Sequence, residues 1–411
     1  MSDSAWGVLE CTTPKYPSIP LYDTTSLFGR NNTSMKIRNL TISSRHFIIQ
    51  VKQEGNEKKY ICIDTSTNGT YINNEIMGKR MATKEIKLYD EISMLDPQKD
   101  EGSISYIFIP FEEQKKEKIE GGPQNKYDIG RYLGSGNFAR VREVIEKDNK
   151  QKYAIKIIDR QKMKEIGENE KVVLNEYSIM KKLHHINIIQ LHDVFLTQEY
   201  FYLVFELVDG GDLFKLTLNK GCLNEKECRI VIKQIFYGIK YLHQNKIIHR
   251  DIKLENILLT SNGIIKITDF GLSKDTKKSI AETICGTPMY VSPELLSGQN
   301  YNEKTDIWSA GVVLYTIACG FQPFRSENET EDGKGGNREL FDLILNGYYQ
   351  FISPYWDNIS LELKDLISHM LIVNPKQRYD IEECLSHPFI TSTKRDNLDL
   401  NQPAIKREYD R

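Results

Sequence analysis

Two strings constrain this chain more than any other feature: HRDIKLEN from His249 to Asn256, and DFG from Asp269 to Gly271. A loop carrying the first must fold against a turn carrying the second, because only together do they complete a chemical set. Asp251 supplies a carboxylate that accepts and orients a hydroxyl, and Lys253 a cation for a moving phosphate. Asn256 and Asp269 supply oxygen ligands that hold Mg²⁺ against nucleotide oxygens. This is the equipment of phosphoryl transfer, in which positioning and electrostatics provide most of the gain. Singly, His249, Arg250 and Asp251 are ordinary surface or core polar residues; the ordered octet is far more specific. His249 reads as structural, holding its loop against the DFG turn. Asp269 follows the apolar strand IIKIT, and Phe270 is expected to pack beneath it.

At 411 residues the chain exceeds what one hydrophobic core usually serves, so two domains are expected. A net charge of -2 argues against a general binder of nucleic acid or membrane surfaces, so an anionic ligand must be met by local geometry. The seven cysteines form no CxxC pair and are odd in number, which suggests neither a zinc site nor a disulfide framework. They read as reduced, packed thiols. The start, MSDSAWGVLE, lacks a basic stretch followed by an apolar run, and no long apolar window follows, so the protein is expected to be soluble and not secreted.

Organisation changes near residue 111. Before it, HFIIQVK (46–52), KYICID (59–64) and ISYIFIPF (104–111) have strand character and are separated by turn-rich TSTNGT and NNEIMG, an all-β pattern. EEQKKEKIEGGPQNK, residues 112–126, mixes acidic and basic side chains around Gly-Gly-Pro and reads as a linker. After Tyr127 the chain is β-rich to about residue 160, then helical. Asn224 reads as an N-cap, after which Val231, Ile235, Ile239 and Leu242 share one face. SENETEDGKGGN, residues 326–337, reads as a surface loop.

LGSGNFARV, residues 133–141, lies between strand-like segments. Gly134 and Gly136 let backbone N–H groups approach phosphates, and Leu133, Ser135 and Val141 complete the expected nucleotide-facing loop. Alone this is weak, since many such repeats are plain turns. Ala139 stands where a third glycine would lie. YAIK then ends in Lys156, expected to meet the α and β phosphates. Glu176 falls on the helical face of Val172, Ile179, Met180 and Leu183, where a carboxylate needs a cation. A lone glutamate is more often a partly exposed helix margin; with Lys156 upstream we read an ion pair that switches with the helix.

From Tyr127 to about Phe389, these motifs in this order resemble the eukaryotic Ser/Thr protein kinases. The resemblance implies an α+β bilobal fold, ATP and Mg²⁺ as cofactors, and protein Ser or Thr as acceptor. It implies that Glu294 of CGTPMYVSPE pairs with Arg378, that Asp306 braces the catalytic loop, and that Ser292 stands in for the usual alanine. Arg250 would receive a phosphate on the activation segment, with Thr283 as acceptor, while Thr287 shapes the substrate loop. Phe205 would be the gatekeeper before a hinge from Glu206 to Val208. Asp212 and Glu255 match positions facing nucleotide ribose and an arginine three residues before the acceptor; a solvated acidic rim is the bland alternative.

In the first domain FGR ends at Arg30, ISSRHF carries Ser43, Ser44 and His46, and STNGTYIN carries Thr67, Asn68 and Gly69. An arginine, hydroxyls and an amide on turns between strands form an anion-binding rim. Singly these are turn or surface residues. Jointly they resemble the forkhead-associated (FHA) domain, a phosphothreonine-binding β-sandwich, over roughly residues 5–110. By that resemblance Arg30 and Ser43 grip phosphate, Ser44 assists, Asn68 bonds the peptide backbone, and His46 supports the loop.

The chain thus reads as multi-domain: an all-β sandwich over 1–111, a linker over 112–126, a kinase domain over 127–390 and a tail over 391–411. This order is similar to the DNA-damage checkpoint effector kinases of the checkpoint kinase two and Rad fifty-three type, with FHA-containing meiotic kinases as a close alternative. The family implies phosphothreonine-bearing adaptors, protein substrates, dimerisation, activation-segment phosphorylation in trans and a nuclear location. One departure concerns activation: the only Ser/Thr-Gln dipeptide is Thr197-Gln198, between kinase strands. A catalytically dead scaffold is disfavoured by the complete catalytic set. A calmodulin-regulated kinase is disfavoured by a tail, TSTKRDNLDLNQPAIKREYDR, with few apolar residues at helical spacing.

Overall fold

The computed structural model describes residues 5–12, 16–30, 37, 39–55, 57–73, 75–78, 81–87, 90–97, 103–111, 122–135, 139–165, 174, 177–269, 288–325 and 334–392. By compactness the chain divides into two units: Met1–Arg160 with Phe195–Tyr202, and Gln161–Val194 with Leu203–Arg411. No helix among the described residues is long and apolar enough to cross a membrane.

Among the described residues ten strands build the first domain: β1 (Gly7–Cys11), β2 (Ile19–Leu21), β3 (Thr25–Phe28), β4 (Phe47–Glu54), β5 (Glu57–Asp64), β6 (Thr70–Ile72), β7 (Glu75–Ile76), β8 (Thr83–Ile86), β9 (Glu91–Met94) and β10 (Ile104–Pro110). They form a six-stranded sheet, β2-β1-β10-β9-β6-β7, and a four-stranded sheet, β3-β4-β5-β8. Period-two alternation explains the core between them: Phe47 and Ile49 of β4, and Tyr60 and Cys62 of β5, turn inward to meet Leu9, Ile92, Met94, Tyr106 and Phe108. Trp6 stacks on Tyr60 at 5.5 Å, and Tyr60 meets Phe108 edge-on at 5.1 Å.

β10 departs furthest from alternation. All seven residues of β10 are buried. Ile104, Tyr106 and Phe108 belong to the sandwich core. Ile107 and Ile109 point the other way and make a second apolar cluster with Val8, Phe111 and Tyr132.

The segment read as a linker is not wholly unstructured. Pro123–Asn125 close a 3-10 turn with Pro123 buried, because proline presets the first helical position and Lys126 N–H bonds the Pro123 carbonyl at 2.9 Å.

Five strands follow: β11 (Tyr127–Ser135), β12 (Ala139–Glu146), β13 (Lys152–Asp159), β14 (Leu191–Leu196) and β15 (Tyr200–Glu206), in the order β11-β12-β13-β15-β14. Thr197 sits in the turn between the last two. Its amide donates to the Tyr200 carbonyl and its hydroxyl both donates to that carbonyl and accepts from the Tyr200 amide, so the side chain of the sole Thr-Gln pair is committed to the turn.

The rest is helical: α1 (Arg160–Glu165), α2 (Leu213–Lys220), α3 (Glu225–Gln244), α4 (Pro293–Leu296), α5 (Lys304–Cys319), α6 (Lys334–Asn346), α7 (Leu361–Met370), α8 (Ile381–Ser386) and α9 (Pro388–Thr391), with the hairpin β16 (Ile257–Leu259) and β17 (Ile265–Ile267) between α3 and α4. Asn224 caps α3 in a reciprocal capping box with Glu227, and Val231, Ile235, Ile239 and Leu242 are fully buried. Apolar on nearly every side, α5 is buried from Thr305 to Cys319 and packs against α3 and α7. Where the sequence read a surface loop to residue 337, α6 already begins at Lys334.

The helical unit is locked by an internal ion pair. Arg378, fully buried, donates to both carboxylate oxygens of Glu294 at 2.8 and 2.9 Å, and its guanidinium lies 5.0 Å from the Trp308 ring. Burial opposes ionisation of Glu294, and this two-pronged bond from Arg378 outweighs it, holding the carboxyl below its usual range. Arg378→Ala leaves that carboxylate buried without its cation, and denaturant unfolding is expected to show a loss of about 3–5 kcal/mol. A loss below about 1 kcal/mol would contradict the pairing argument.

Candidate functional site

In the helical unit the octet forms a loop between α3 and the β16–β17 hairpin, and a buried carboxylate sets its course. Asp306, on α5, accepts from the His249 amide at 2.9 Å (Oδ2), the Arg250 amide at 2.9 Å (Oδ1) and His243 Nε2 at 2.9 Å (Oδ2). Burial resists ionisation here, and the His243 hydrogen bond with the loop amides outweighs it, keeping Asp306 below the carboxylate range. The clamp holds Arg250 at φ +66°, a sharp left-handed turn that presents the next residue, Asp251.

Around Asp251 the predicted residues converge. Lys253 Nζ lies 3.0 Å from Asp251 Oδ2, and Asn256 Nδ2 donates to the same oxygen at 2.9 Å and to the Asp251 carbonyl at 2.8 Å. These contacts hold the Asp251 carboxylate within the loop. With its nitrogen bound to Asp251, Asn256 offers its amide oxygen as a cation ligand. Thr268 N–H bonds the Asn256 carbonyl at 3.0 Å, and Asp269, exposed at φ +55°, follows directly. An amide oxygen and a carboxylate on tied segments are hard ligands of the kind Mg²⁺ takes while keeping several waters. His249 is fully buried: Nδ1 accepts from the Asp251 amide at 3.2 Å, so the proton sits on Nε2, which donates to the Thr268 carbonyl at 3.0 Å. It therefore tethers the loop to the segment before Asp269. Burial lowers its pKa and keeps the ring neutral.

Arg250 places its guanidinium 5.0 Å from the Tyr301 ring. Thr283, Thr287, Phe270, Glu176 and Gly136 lie outside the described residues, as does the side chain of Ser135. Asp212 caps α2 by accepting from the Lys215 amide at 2.7 Å. The Glu206 side chain accepts from the Gln190 amide and from Lys266, both at 2.8 Å, and its backbone amide donates to the Gln190 carbonyl at 3.0 Å, so both are committed within the fold. Glu255 is exposed in the 3-10 turn Leu254–Asn256.

In the strand-rich unit, register brings the nucleotide-loop residues together. Gly134 pairs with Val141 across β11–β12, and Val141 pairs with Lys156 across β12–β13, so the three form one row on one face of the sheet. The space a Cβ would take at Gly134 is open, which suits a backbone approached by phosphate. Leu133 is half-buried beside that row.

The sandwich carries the other rim. Thr67 N–H donates to Ser43 Oγ at 3.0 Å, their hydroxyls lie 3.5 Å apart, and Asn68 Nδ2 donates to the Thr41 carbonyl at 2.8 Å. Arg30 is set beside them by its amide, which bonds the Ser43 carbonyl at 3.0 Å; Ser44 is exposed on the same loop. Gly29 makes this approach possible, because a Cβ there would fall 2.6 Å from the Ser44 carbonyl oxygen and 2.8 Å from that of Ser43. Buried His46 ties the loops: Nδ1 accepts from the Ser43 amide at 3.2 Å and Nε2 donates to the Gly69 carbonyl at 3.0 Å. Thr67, one of the rim hydroxyls read from the sequence, is thus tied to Ser43, whereas Thr41 gained no role from sequence reasoning.

Comparison with known proteins gives matches in both halves. A protein kinase domain model matches residues 127–390 and an FHA domain model residues 27–94. The "Probable serine/threonine-protein kinase fhkC" of Dictyostelium discoideum is 40% identical over 421 residues, covering 98% of this chain and 69% of that protein. Its relative fhkE is 37% identical over 404 residues, covering 94% of this chain and 55% of that protein. The crystal structure of Rad53 1-466 in complex with AMP-PNP superposes with a TM-score of 0.56 at 30% identity, covering 93% of this chain and 99% of that one.

Burial lowers the pKa of His46 against the pull of the Gly69 carbonyl and Asp64. The unfolded chain therefore takes up the extra proton first, and stability is complete above about pH 6.5 and declines as pH falls from there toward the folded pKa. His249 and His185, also lowered by burial, act in the same direction, so the comparison is with a variant. The wild type is expected to lose unfolding midpoint from about pH 7.5 to 5.5 more steeply than His46→Gln. Parallel slopes would show that His46 is not held neutral.

Proposed function

Because the chain belongs to the serine/threonine protein kinases that carry an FHA domain, we propose that it transfers the ATP γ-phosphoryl group to protein Ser or Thr after docking on a phosphothreonine partner. The observation that carries this is the convergence of Lys253 and Asn256 on one oxygen of Asp251, with the loop fixed by Asp306. Held by Lys253 and Asn256, the Asp251 carboxylate orients the acceptor hydroxyl and takes its proton as the bond from that oxygen to the γ-phosphorus forms and the bond from phosphorus to the departing ADP oxygen breaks. Lys253 stays beside Asp251 to balance charge as the phosphoryl group arrives. Asn256 and Asp269 of the helical unit are the residues that would hold Mg²⁺, which would supply charge neutralisation for the phosphate oxygens of ATP, and Lys156 of the strand-rich unit would be the cation for the inner phosphates.

Several finer readings belong to the same proposal. Glu255, exposed in the catalytic loop, supports a preference for arginine upstream of the acceptor. Thr283 is the proposed activating phosphosite, modified in trans between copies brought together through the FHA rim, with Arg250 as its receiver. The proposed partners are phosphothreonine-bearing adaptors, argued from the FHA match, and the proposed setting is a nuclear DNA-damage checkpoint, argued from the resemblance carried by the order of the motifs.

Arg30→Ala in the full chain is expected to weaken binding of a phosphothreonine peptide by about ten- to a hundred-fold, the scale of a lost bond to a charged group, while catalysis on a free peptide is retained. Undiminished affinity in calorimetry would remove the docking assignment. In a peptide array, replacing arginine three residues before the acceptor should lower phosphorylation, and Glu255→Ala should erase the difference. A wild-type enzyme indifferent to that arginine would refute the basic preference.

A further inference from the structure

The strand that carries the nucleotide loop is irregular where it matters. Between β11 and β12 the register shifts twice, once between Ile129 and Tyr132 and again between Tyr132 and Gly134. Such a bulge leaves backbone groups without ladder partners, and each needs another. The bulge carbonyl of Gly130 is taken by Arg142, whose Nε and Nη2 donate to it at 2.9 and 2.6 Å. The amide of Tyr132 donates to Oε1 of Glu10 at 3.1 Å, and Oε2 of Glu10 accepts from Arg142 Nη2 at 3.1 Å. Glu10 is not part of the kinase domain. It lies on β1 of the FHA sandwich, within the same compact unit.

We propose that Glu10 is a positioning residue for the nucleotide loop, so that the FHA domain completes the kinase's first strand. Three observations meet here. Glu10 and Arg142 bond two backbone groups of the bulge and pair with each other in a nearly closed site, with 17% and 6% side-chain exposure. Next, the apolar face of β10 is shaped for this contact: Ile107 and Ile109, with Val8 and Phe111, seat the Tyr132 ring. Finally, the clamp falls within two residues of the nucleotide row, since Tyr132 lies two before Gly134 and Arg142 directly follows Val141. Fixing Tyr132 and Arg142 on one side of the sheet fixes where Gly134, Val141 and Lys156 stand on the other.

This inference rests on the kinase reading, and its test separates the two. In the full-length chain, Glu10→Ala is expected to raise KM for ATP about five- to ten-fold, the low end of coupling between sites, with kcat changed less than about two-fold. The Kd for AMP-PNP should rise in parallel, and the peptide spanning residues 129–134 should exchange its amide hydrogens faster. Glu10→Gln keeps an acceptor for the Tyr132 amide and should restore part of the loss. Ile109→Ala, which loosens the seat without touching the ion pair, should shift KM the same way by a smaller factor. A lowered melting temperature with unchanged KM and Kd would make Glu10 merely structural and overturn the proposal, as would unchanged hydrogen exchange. A wild-type chain that transfers no phosphate would sink the kinase reading instead, whatever the exchange data show.

Discussion

Asp306 sits wholly inside the helical unit, and its two oxygens gather the amides of His249 and Arg250 and the ring of His243. A charge there survives only because every lone pair in use has a donor, and those donors belong to the loop that must be held. The consequence runs outward. Arg250 is forced into its left-handed turn, Asp251 is presented to Lys253 and Asn256, and His249 carries the constraint on to Thr268 and so to Asp269. Because α5, which bears Asp306, is buried along almost its whole length, the brace is as rigid as the core.

The phosphopeptide rim uses the same device with other residues. A neutral, buried histidine joins two loops by accepting at one nitrogen and donating at the other, as His249 does in the kinase domain. Asp64 adds a second layer, accepting from the Ser66 amide and the Thr70 hydroxyl beneath the turn that carries Thr67 and Asn68. Both sites are therefore set before any ligand arrives, which lowers the ordering cost of binding.

How much of this was legible depended on sequence distance. The octet, the DFG turn and the capped face of α3 are local patterns, and the structure places the described members where their spacing implies. The row of Gly134, Val141 and Lys156 needed strand register, which no single strand reveals. Residues such as Asp212 and Glu206 carry hydrogen bonds within the fold, a commitment invisible until partners are known. The lysine-rich segment before Tyr127 reads as wholly unpacked, although Pro123 presets a turn at its end. Glu10 was beyond reach altogether, because its partners lie 122 and 132 residues away and nothing about a lone glutamate on a strand announces a bulge elsewhere. The hint was β10, whose run is apolar but for Ser105 and marks a strand covered on both faces.

The most direct measurement is transfer of labelled γ-phosphate from ATP to a serine-containing peptide by the full chain, compared with Asp251→Asn. The account predicts incorporation by the wild type and a fall of about 10²–10⁴ in the variant with nucleotide affinity preserved, as expected when an orienting base is lost. Equal rates for the two proteins would mean that the carboxylate at the centre of the loop has no part in the reaction.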